Sequence, residues 1–584
     1  MAASNATLAR CLEEIAELLE LDGQDRFRVR AYQRAAEAIR AADVDLARLP
    51  REELTTVKGL GGSTAERVAE HLDTGRIALL DELRQRIPEG VRALTRVPGV
   101  GPATARRLHD ELGVGSLDEL RAALATGAVR TLPGLGARSE ARLRAGLERL
   151  EALDAQRLPI ATAWSIAQEL RAALAAREDV ARVACAGSLR RLRETVGDVD
   201  VLVATEADPA PIHAAFRALD LVDEVLVAGD RKSSVVTRRG LQADLRVVAP
   251  DAWGAALVYF TGSKAHNVRI RERALRRGLT LNEYGLSRRD DGAVVASRAE
   301  EEVHAALDLA WIPPTLREDA GEVEAADTAG GRTPTLPRLV RPTDLCGDLH
   351  GHSDWSGDGR ASLGTMAAAA ADRGLAYWAV TDHAAGLPQV GLDAAGFARR
   401  REAIAAARET TGLAVLDGVE LNILAQGAVD FDADVLAAFD WCVAAIHTGL
   451  EHDAATQTDR ILAAIANPFV NAIGHPTGRR LGQRPGYEIE LGAILEACAE
   501  TGTALELNAS PSRLDLPAEL ARRAVTAGVW LVISTDAHAP DELANADWGA
   551  TYAQRAWASP AQVLTCQPLE RVRRLVADKR ERLG

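Results

Sequence analysis

The chain has 584 residues, more than one hydrophobic core usually supports, so several domains are expected. Its hydrophobic fraction of 47% and charged fraction of 26% are those of a well-packed globular protein. The net charge of −15 argues at first against a nucleic-acid partner. However, residues 1–340 carry a net charge of only −4, whereas residues 341–584 carry −11. Residues 1–340 can therefore present basic faces to phosphates. The excess of carboxylates in residues 341–584 is expected if many of them bind metal ions.

The cysteines and the N-terminal residues predict a cytoplasmic protein, associated with the nucleoid when bound to DNA. The six cysteines are scattered and form no CxxC pair, which argues against disulfides and a structural zinc knuckle. Residues 1–20 have the pattern of an amphipathic helix rather than of a secretion signal. No run of about 18 uncharged apolar residues occurs, so no membrane partner is expected. We also expect a monomer.

Residues 1–150 are predicted to form short helices separated by glycine turns. Three turns repeat one pattern, in which two glycines stand one residue apart and a helix rich in alanine, arginine and glutamate follows. Such glycines allow a tight turn, and the N–H groups that begin the next helix can bind a phosphate. A single turn of this kind is more often a plain helix end, but three of them favour helix-hairpin-helix DNA binding. The glycines expected to bind DNA are Gly59, Gly61, Gly99, Gly101, Gly134 and Gly136.

The stretch 183–204 has the pattern of a nucleotidyltransferase. A strand leads to a Gly-Ser turn and a basic segment, and Asp198 and Asp200 then lie on a second strand. Alternate residues of a strand face the same side, so these carboxylates should project together, with Asp244 from a later strand beside them. A DxD pair alone is more often a solvated strand edge, but GSxRR at this distance makes the pattern specific. Three such carboxylates can hold two Mg²⁺ or Mn²⁺ ions. The groups expected to bind nucleotide phosphates are Gly187, Ser188, Arg191 and Gly197.

These motifs resemble a known family. GSLRR, GDVDVLV and ADLRVV are similar to the palm of family X DNA polymerases of the bacterial and archaeal type, which share a polymerase beta-like core. YFTGS and NVRIR resemble the nucleotide-selecting thumb, and FRVRAYQRAAEAIR resembles the first domain of the family. The resemblance implies a DNA polymerase that fills short gaps during repair, such as base excision repair, with gapped or primed DNA and dNTPs as substrates.

The resemblance also implies roles for individual residues. Asp198 and Asp200 would bind both metal ions, and Asp244 would accept the proton of the primer 3′-hydroxyl. Some members remove a 5′-deoxyribose phosphate with a lysine amine, but the matching position here is Arg67, whose guanidinium stays protonated. Arg67 is therefore expected to bind a 5′ phosphate. The residues placed around the incoming nucleotide and the template are Tyr259, Phe260 and Gly262 at the sugar, Asn267 at the base edge, and Arg271 at the template.

The C-terminal part has a different pattern, in which metal-binding residue types follow successive short apolar runs. Any one such histidine is more often a core residue with a hydrogen bond, but six at predicted strand ends favour a metal centre. The carboxyl ends of successive barrel strands meet at one mouth, where these side chains should converge. The nine expected ligands are His350, His352, Asp358, His383, Glu420, His447, His475, Asp536 and His538.

This set resembles the PHP (polymerase and histidinol phosphatase) domain, typically a seven-stranded βα barrel. The resemblance implies up to three Mn²⁺ or Zn²⁺ ions and phosphoester hydrolysis, as a 3′→5′ exonuclease and in some members an apurinic-site endonuclease. One ligand departs from the usual pattern, because HSDWSGDGR leaves Asp354 as a weaker alternative to Asp358. Arg513 is either a phosphate ligand or a surface residue, and His452 matches no ligand position.

The predicted fold class is multidomain α/β: helical domains with helix-hairpin-helix motifs, a polymerase beta-like palm and thumb, and a (βα)7 PHP barrel. Two rival functions are a structural DNA-end binder whose catalytic centres have decayed, and a small-molecule phosphatase that the N-terminal part recruits. The expected segments are 1–85, a DNA-binding domain; 86–157, a fingers-like domain with two hairpins; 158–250, the palm; 251–315, the thumb; 316–340, a linker; and 341–584, the PHP domain.

Overall fold

The computed structural model describes residues 5–42, 44, 46–87, 89–95, 97, 99–155, 157–229 and 231–583. Within these ranges no helix combines the length and the apolar character needed to cross a bilayer. The six cysteines are all free thiols. The chain forms a helical N-terminal part, a mixed sheet, a small helical and hairpin unit, and a parallel barrel.

The N-terminal part is entirely helical in its described residues and has its own apolar core. Its helices end where the sequence supplies caps. For example, the Ser116 hydroxyl accepts a hydrogen bond from the Glu119 amide at 3.2 Å, and Gly127 ends the same helix at φ 73°. The helices are α1 Asn5–Leu21, α2 Arg26–Ala41, α3 Gly62–Thr74, α4 Ala78–Arg86, α5 Glu89–Leu94, α6 Pro102–Leu112, α7 Leu117–Thr126 and α8 Ala137–Ala155.

The next unit is a five-stranded sheet in the order β2-β4-β7-β6-β5, with α9 and α11 packed against it. Strands β4 and β7 are parallel, and the other neighbours are antiparallel. A two-stranded ribbon of β1 and β3 lies beside the sheet. The elements are β1 Leu158–Pro159, α9 Ile160–Ala175, β2 Arg182–Cys185, α10 Gly187–Arg190, β3 Thr195–Val196, β4 Asp198–Ala204, α11 Ala210–Arg217, β5 Val222–Ala228, β6 Lys232–Thr237 and β7 Gln242–Val248.

The five-stranded sheet, which corresponds to the predicted palm, is followed by a small unit of helices around a three-stranded antiparallel sheet. Its buried face holds the aliphatic residues of α12, α13 and α14, which pack together with the hairpin strands. The elements are α12 Trp253–Thr261, α13 Lys264–Arg276, β8 Leu279–Asn282, β9 Gly285–Arg288, β10 Val294–Ala296, α14 Glu300–Ala305 and α15 Glu322–Ala325.

The segment 316–340 differs from the linker that its composition predicted. Arg317 and Glu322 are fully buried against the preceding unit, and α15 forms within the segment. The Arg317 guanidinium donates to the Glu300 carboxylate at 2.7 Å, and the Glu322 carboxylate lies 2.7 Å from Nδ1 of His266. Acidic residues of this segment, such as Glu322, thus pair with buried basic side chains instead of facing solvent. The sequence pattern alone does not reveal this pairing.

The C-terminal part is a seven-stranded barrel in which each strand pairs in parallel with the next one along the chain. A parallel bridge between Gly351 and Ala537, just beyond the first and last strands, nearly closes it. The strands are β11 Gly347–Asp348, β12 Tyr377–Val380, β13 Ala414–Asn422, β14 Trp441–Ala445, β15 Ala472–Ile473, β16 Ala504–Asn508 and β17 Leu531–Ser534. The helices are α16 Leu363–Asp372, α17 Ala394–Thr411, α18 Ala433–Leu436, α19 Ala454–Ile465, α20 Leu491–Thr501, α21 Ala518–Thr526, α22 Asn545–Ala553 and α23 Leu569–Leu583.

The barrel and the mixed sheet share one continuous apolar core. Trp164 on α9 meets Trp548 on α22 edge to face, with ring centroids 5.1 Å apart. Beside them, the Tyr552 hydroxyl donates to the Glu194 carboxylate at 2.5 Å. The loops that lead into the palm strands are therefore held directly by the barrel.

Candidate active sites

The register of the palm sheet brings three predicted carboxylates together. Asp198 and Asp200 are alternate residues of β4, so they face the same side of the sheet. Asp244 is the parallel register partner of Asp200 on β7. One oxygen from each carboxylate lies within 4.8 Å of the others, a spacing that suits a shared cation.

The turn before β4 packs directly against these carboxylates. Gly187 has φ 61°, and a Cβ there would lie 2.2 Å from Oδ2 of Asp200. Only glycine can therefore occupy this place without moving Asp200. The adjacent Ser188 hydroxyl is buried and has no hydrogen-bond partner in the described part of the chain. Its expected hydrogen bond to a phosphate oxygen remains a prediction.

The pKa values of the three carboxylates shift in different directions, because only Asp244 pairs with a lysine. Burial and then the charges of Asp198 and Asp244 raise the pKa of Asp200 to about 7. Burial opposes ionisation of Asp244 as well, but hydrogen bonds from Lys232 and Gln242 outweigh it and lower its pKa. The Lys232 ammonium pairs with the Asp244 carboxylate, a contact that sequence reasoning missed. Lys232 is the first residue of β6 and belongs to none of the motifs, and only the β6–β7 register brings it beside Asp244.

Arg191 is placed differently from the phosphate ligand that we expected. Its guanidinium donates to the Thr261 carbonyl and, at 3.1 Å, to the Glu318 carboxylate. Its own carbonyl accepts from Arg555 of the barrel at 2.7 Å. In this state Arg191 therefore ties the palm to the thumb and the barrel, rather than extending towards the carboxylates.

The thumb motif forms the end of one helix and the start of the next. Tyr259 and Phe260 end α12 with their rings edge to face at 5.1 Å, and Gly262 follows at φ 65°. The Asn267 amide donates to the Tyr259 carbonyl at 2.6 Å, so this asparagine holds the motif in place. Arg271 is exposed further along α13. The contacts of these residues with a nucleotide remain predictions.

In the barrel, all nine predicted residues meet at the carboxyl end of the strands. Eight of the nine form three overlapping groups, and within each group the possible ligand atoms lie within 4.8 Å of one another. His475 belongs to none of these groups, but its Nε2 atom lies 3.0 Å from Oε1 of Glu420. The groups are His352, Asp358, His383 and His538; His350, His352 and Asp536; and His383, Glu420 and His447.

Glu420 lies at the centre of the cluster. It is fully buried, and its carboxylate is 2.8 Å from Nδ1 of His383 and 3.1 Å from Nε2 of His447. Burial alone would lower the pKa of His383, but the Glu420 charge outweighs it and raises this pKa to about 10. His352 has a pKa lowered to about 4, by burial and by the neighbouring imidazoles of His538 and His383. Such opposite shifts within one pocket come from closely packed ionisable groups, which are common at functional sites.

Partner side chains outside the predicted set orient the imidazoles. Nδ1 of His350 lies 2.7 Å from the Glu506 carboxylate, and Nδ1 of His447 lies 2.7 Å from the Asn422 side-chain oxygen. These contacts leave the Nε2 atoms facing the cluster, the arrangement that gives an imidazole its direction as a metal ligand. Asn422 ends β13, and Glu506 lies within β16, two residues before its end. Polar residues this close to the end of a predicted barrel strand are a signal that could have found them.

The buried atoms of the cluster fit divalent cations. Several imidazole nitrogens and one carboxylate oxygen are buried without a well-aligned hydrogen bond among the described residues, even where an oppositely charged group is near, which is costly unless another ligand takes them. Histidine nitrogens together with carboxylates suit Mn²⁺ or Zn²⁺ rather than Ca²⁺. These atoms are Nε2 of His350, both ring nitrogens of His352, Nδ1 of His383, Oε2 of Glu420 and Nδ1 of His475.

The structure places Asp358, and not Asp354, beside the cluster. Oδ2 of Asp358 lies 3.2 Å from Nε2 of both His383 and His538. Asp354 is exposed and belongs to none of the three groups among the described residues. His452 is likewise exposed and outside the cluster, as expected of a surface residue.

The cluster forms the floor of a cavity of about 260 Å³. Three arginines line it in addition to the predicted residues: Arg480 and Arg484, which sequence reasoning passed over, and Arg513. Nε of Arg513 is 3.4 Å from Oδ2 of Asp536, so this arginine is not a plain surface residue. A metal-binding floor with arginines beside it suits a phosphate ester.

In the N-terminal part, each predicted turn lies just before a helix. Gly59, Gly99 and Gly134 have φ of 107°, 97° and 80°, which L side chains rarely adopt. A Cβ at the second glycine of each turn would meet no atom within 4 Å, so a phosphate can approach the backbone there. These second glycines are Gly61, Gly101 and Gly136. Their contact with DNA remains a prediction.

The fold and the two centres define a nucleotidyltransferase joined to a metal-dependent phosphoesterase, and comparison with known proteins agrees. Family profiles match the helix-hairpin-helix domain at 3–77, the SAM-like helix-hairpin-helix tandem at 91–149, the DNA polymerase beta thumb at 256–318 and the PHP domain at 348–510. These matches confirm the predicted fold class.

The chain is 36% identical over 569 residues to the DNA polymerase/3′-5′ exonuclease PolX of Bacillus subtilis (strain 168), covering 97% of this chain and 98% of that protein. The barrel alone is similar to the probable phosphatase YcdX of Escherichia coli, at 31% identity over 200 residues, 33% of this chain and 78% of YcdX. A probable phosphatase of Vibrio atlanticus is 27% identical over 41% of this chain and 96% of its own length. The chain belongs to the family X DNA polymerases that carry a PHP domain, and it is an enzyme.

Proposed function

We propose that the chain fills short gaps in DNA from dNTPs and degrades DNA 3′ ends with its barrel centre, as a repair enzyme. The observation that carries the proposal is the coexistence of two complete clusters in one chain, three carboxylates on the palm and nine ligand-type residues in the barrel. The similarity to a polymerase and exonuclease over nearly the whole chain supports it.

In the palm, Asp198, Asp200 and Asp244 would hold two Mg²⁺ or Mn²⁺ ions. When bound, such ions supply activation of the 3′-hydroxyl and neutralisation of the triphosphate charge. The chain itself contributes the turn that buries Asp200 and the free hydroxyl of Ser188, which can donate to a phosphate oxygen. Asp244 can accept the proton of the 3′-hydroxyl once Lys232 no longer occupies its carboxylate.

In the barrel, the nine residues would hold up to three Mn²⁺ or Zn²⁺ ions. Bound there, these ions supply a hydroxide nucleophile and bear the charge of the phosphoester. Glu506 and Asn422 keep the imidazoles of His350 and His447 directed at the cluster. Arg513, 3.4 Å from Asp536, lies close enough to the cluster to contact a phosphate of the bound DNA strand. An apurinic-site endonuclease activity would use this same centre.

One experiment tests both activities. A duplex with a one-nucleotide gap is incubated with the protein and dNTPs, with Mg²⁺, Mn²⁺ or Zn²⁺ supplied separately, and products are resolved on a denaturing gel. We expect extension by one nucleotide when dNTPs are present and 3′ shortening when they are omitted. No extension with any metal would favour a DNA-end binder with decayed centres, and hydrolysis of free phosphomonoesters but not of DNA would favour a phosphatase.

The N-terminal domain is expected to lack deoxyribose phosphate lyase activity. A lyase needs an amine that can lose its proton, whereas Arg67 carries a guanidinium, and Glu70 at 2.8 Å raises its pKa further. Borohydride reduction on a gapped duplex with a 5′-deoxyribose phosphate should trap almost no covalent adduct. Lys58, the one lysine of residues 1–150, is exposed in the first turn and serves as the control position. An adduct in the N-terminal domain that disappears in Lys58→Ala would contradict the prediction.

A further inference from the structure

The mouth of the barrel has two unlike walls above the ligand cluster. The loops after β12 and β14 supply an apolar wall of Leu387, Ile446 and Leu450. The loops after β15 and β16 supply a cationic wall of Arg480, Arg484 and Arg513. Because β15 and β16 are neighbours in the barrel, the three arginines lie on one side of the cavity.

Among the described residues, only one of the three arginines of the cationic wall, Arg513, has a carboxylate partner. The Arg484 guanidinium donates to the Gly478 carbonyl at 2.6 and 3.1 Å, and Arg513 contacts Asp536. The Arg480 guanidinium is exposed and makes no hydrogen bond or ion pair with any residue that the structure describes. The charge of Arg513, followed by burial and Arg484, lowers the pKa of Arg480, which shows that the arginines repel one another.

The loop also holds Arg480 in a defined position. Residues Arg480 and Arg484 form an antiparallel bridge, with the Arg480 amide 2.9 Å from the Arg484 carbonyl and the reverse pair at 2.8 Å. The Leu481 amide donates to the Ser512 carbonyl at 2.7 Å, which joins this loop to the one that carries Arg513. Because the backbone is fixed in this way, Arg480 stays near Arg513, and a phosphate can bind with a smaller loss of conformational entropy than on a mobile loop.

We propose that Arg480 and Arg513 bind the phosphate next to the scissile one in a polynucleotide strand, while the apolar wall receives the terminal nucleoside. The inference rests on the proposed 3′-end degradation and names how the barrel selects its substrate. A small phosphomonoester has one phosphate, which the floor of the cavity takes, and leaves Arg480 without an anion. A strand has a second phosphate about one nucleotide away, and this phosphate pairs with the exposed guanidinium.

The loop that carries Arg480 lies next to the palm, and this position indicates in which direction the bound DNA strand leaves the barrel. A Cβ on Gly482 would lie 3.0 Å from Cγ of Pro159 in β1, and Nη2 of Arg479 is 3.9 Å from the Glu194 carboxylate. The cationic wall therefore borders the polymerase part of the chain. The strand continues from the arginines towards the palm, so the terminal nucleoside is the part that enters the barrel.

The test compares two substrates in Arg480→Ala. One is a single-stranded oligodeoxynucleotide with a free 3′-hydroxyl, and the other is bis(p-nitrophenyl) phosphate, which has only the scissile phosphate; both assays use Mn²⁺. We expect kcat/KM on the oligonucleotide to fall by roughly 10- to 100-fold, with activity on the small diester within about twofold of wild type. Arg480→Lys should recover part of the loss, because lysine keeps the charge without the planar fork.

The matched control is Arg399→Ala, an exposed arginine of α17 outside the cavity lining, which should leave both substrates unaffected. Unchanged oligonucleotide kinetics in Arg480→Ala would overturn the inference while the proposed function stood. An equal loss on both substrates would overturn it as well, because Arg480 would then act on the ligand cluster itself. A wild-type protein that hydrolyses the small diester but not the oligonucleotide would instead refute the proposed function, and the inference with it.

Discussion

Replacing Asp200 with alanine should reduce primer extension by roughly 10³-fold or more, or about 4 kcal/mol of transition-state stabilisation. Asp200 is the middle carboxylate of the palm cluster, between Asp198 on its own strand and Asp244 on the next. Its removal leaves too few oxygens to hold two cations, so the charge of the triphosphate is no longer balanced. The measurement is single-turnover extension of a one-nucleotide gap, with 3′-end degradation followed on the same duplex.

The matched control is Asp223→Ala, which removes an exposed carboxylate from β5 of the same sheet and should leave extension unchanged. Degradation of 3′ ends should continue in Asp200→Ala, because the barrel residues are untouched. Extension by Asp200→Ala at near the wild-type rate would show that these carboxylates are not the catalytic centre.

Replacing His352 with alanine should abolish 3′-end degradation, with a decrease of roughly 10²-fold or more, and should lower the bound Mn or Zn content. His352 is fully buried and belongs to two of the three ligand groups, so its loss affects more than one metal position. Gap filling should persist, with more net product because the extended strand is no longer trimmed. The measurements are metal content by mass spectrometry and 3′-end degradation on a labelled duplex.

His452→Ala is the matched histidine control, since this exposed residue lies outside the cluster and its loss should change neither measurement. Asp536→Asn provides a second variant with almost no change in volume, in case the buried cavity of His352→Ala prevents folding. Metal content equal to that of wild type in both variants would contradict the assignment of these residues as ligands.

The sequence determined those parts of the sites that depend on local periodicity and on strand direction. Asp198 and Asp200 share a face because the side-chain period of a strand is two residues. The histidines converge because each follows a buried run, and the carboxyl ends of parallel barrel strands meet at one mouth. The three glycine turns can likewise be recognised in the sequence. Their first glycines have a positive φ, which glycine adopts much more readily than other residues.

Only the tertiary structure decided which distant groups these residues meet. Asp358 and Asp354 are both acids in one loop, and proximity to His383 and His538 separates them. Arg191 looked free to bind phosphate, yet long-range packing gives its guanidinium a carbonyl and a carboxylate.

The segment 316–340 shows the same limit. Its composition resembles that of a solvated linker, because acidic side chains look alike in sequence whether they face water or a buried base. The cationic wall of the barrel could not be predicted from the sequence either. The loops that carry Arg480 and Arg513 come together only because β15 and β16 pair. Local patterns thus specify residue types and faces, whereas charge partners depend on contacts between segments far apart in the chain.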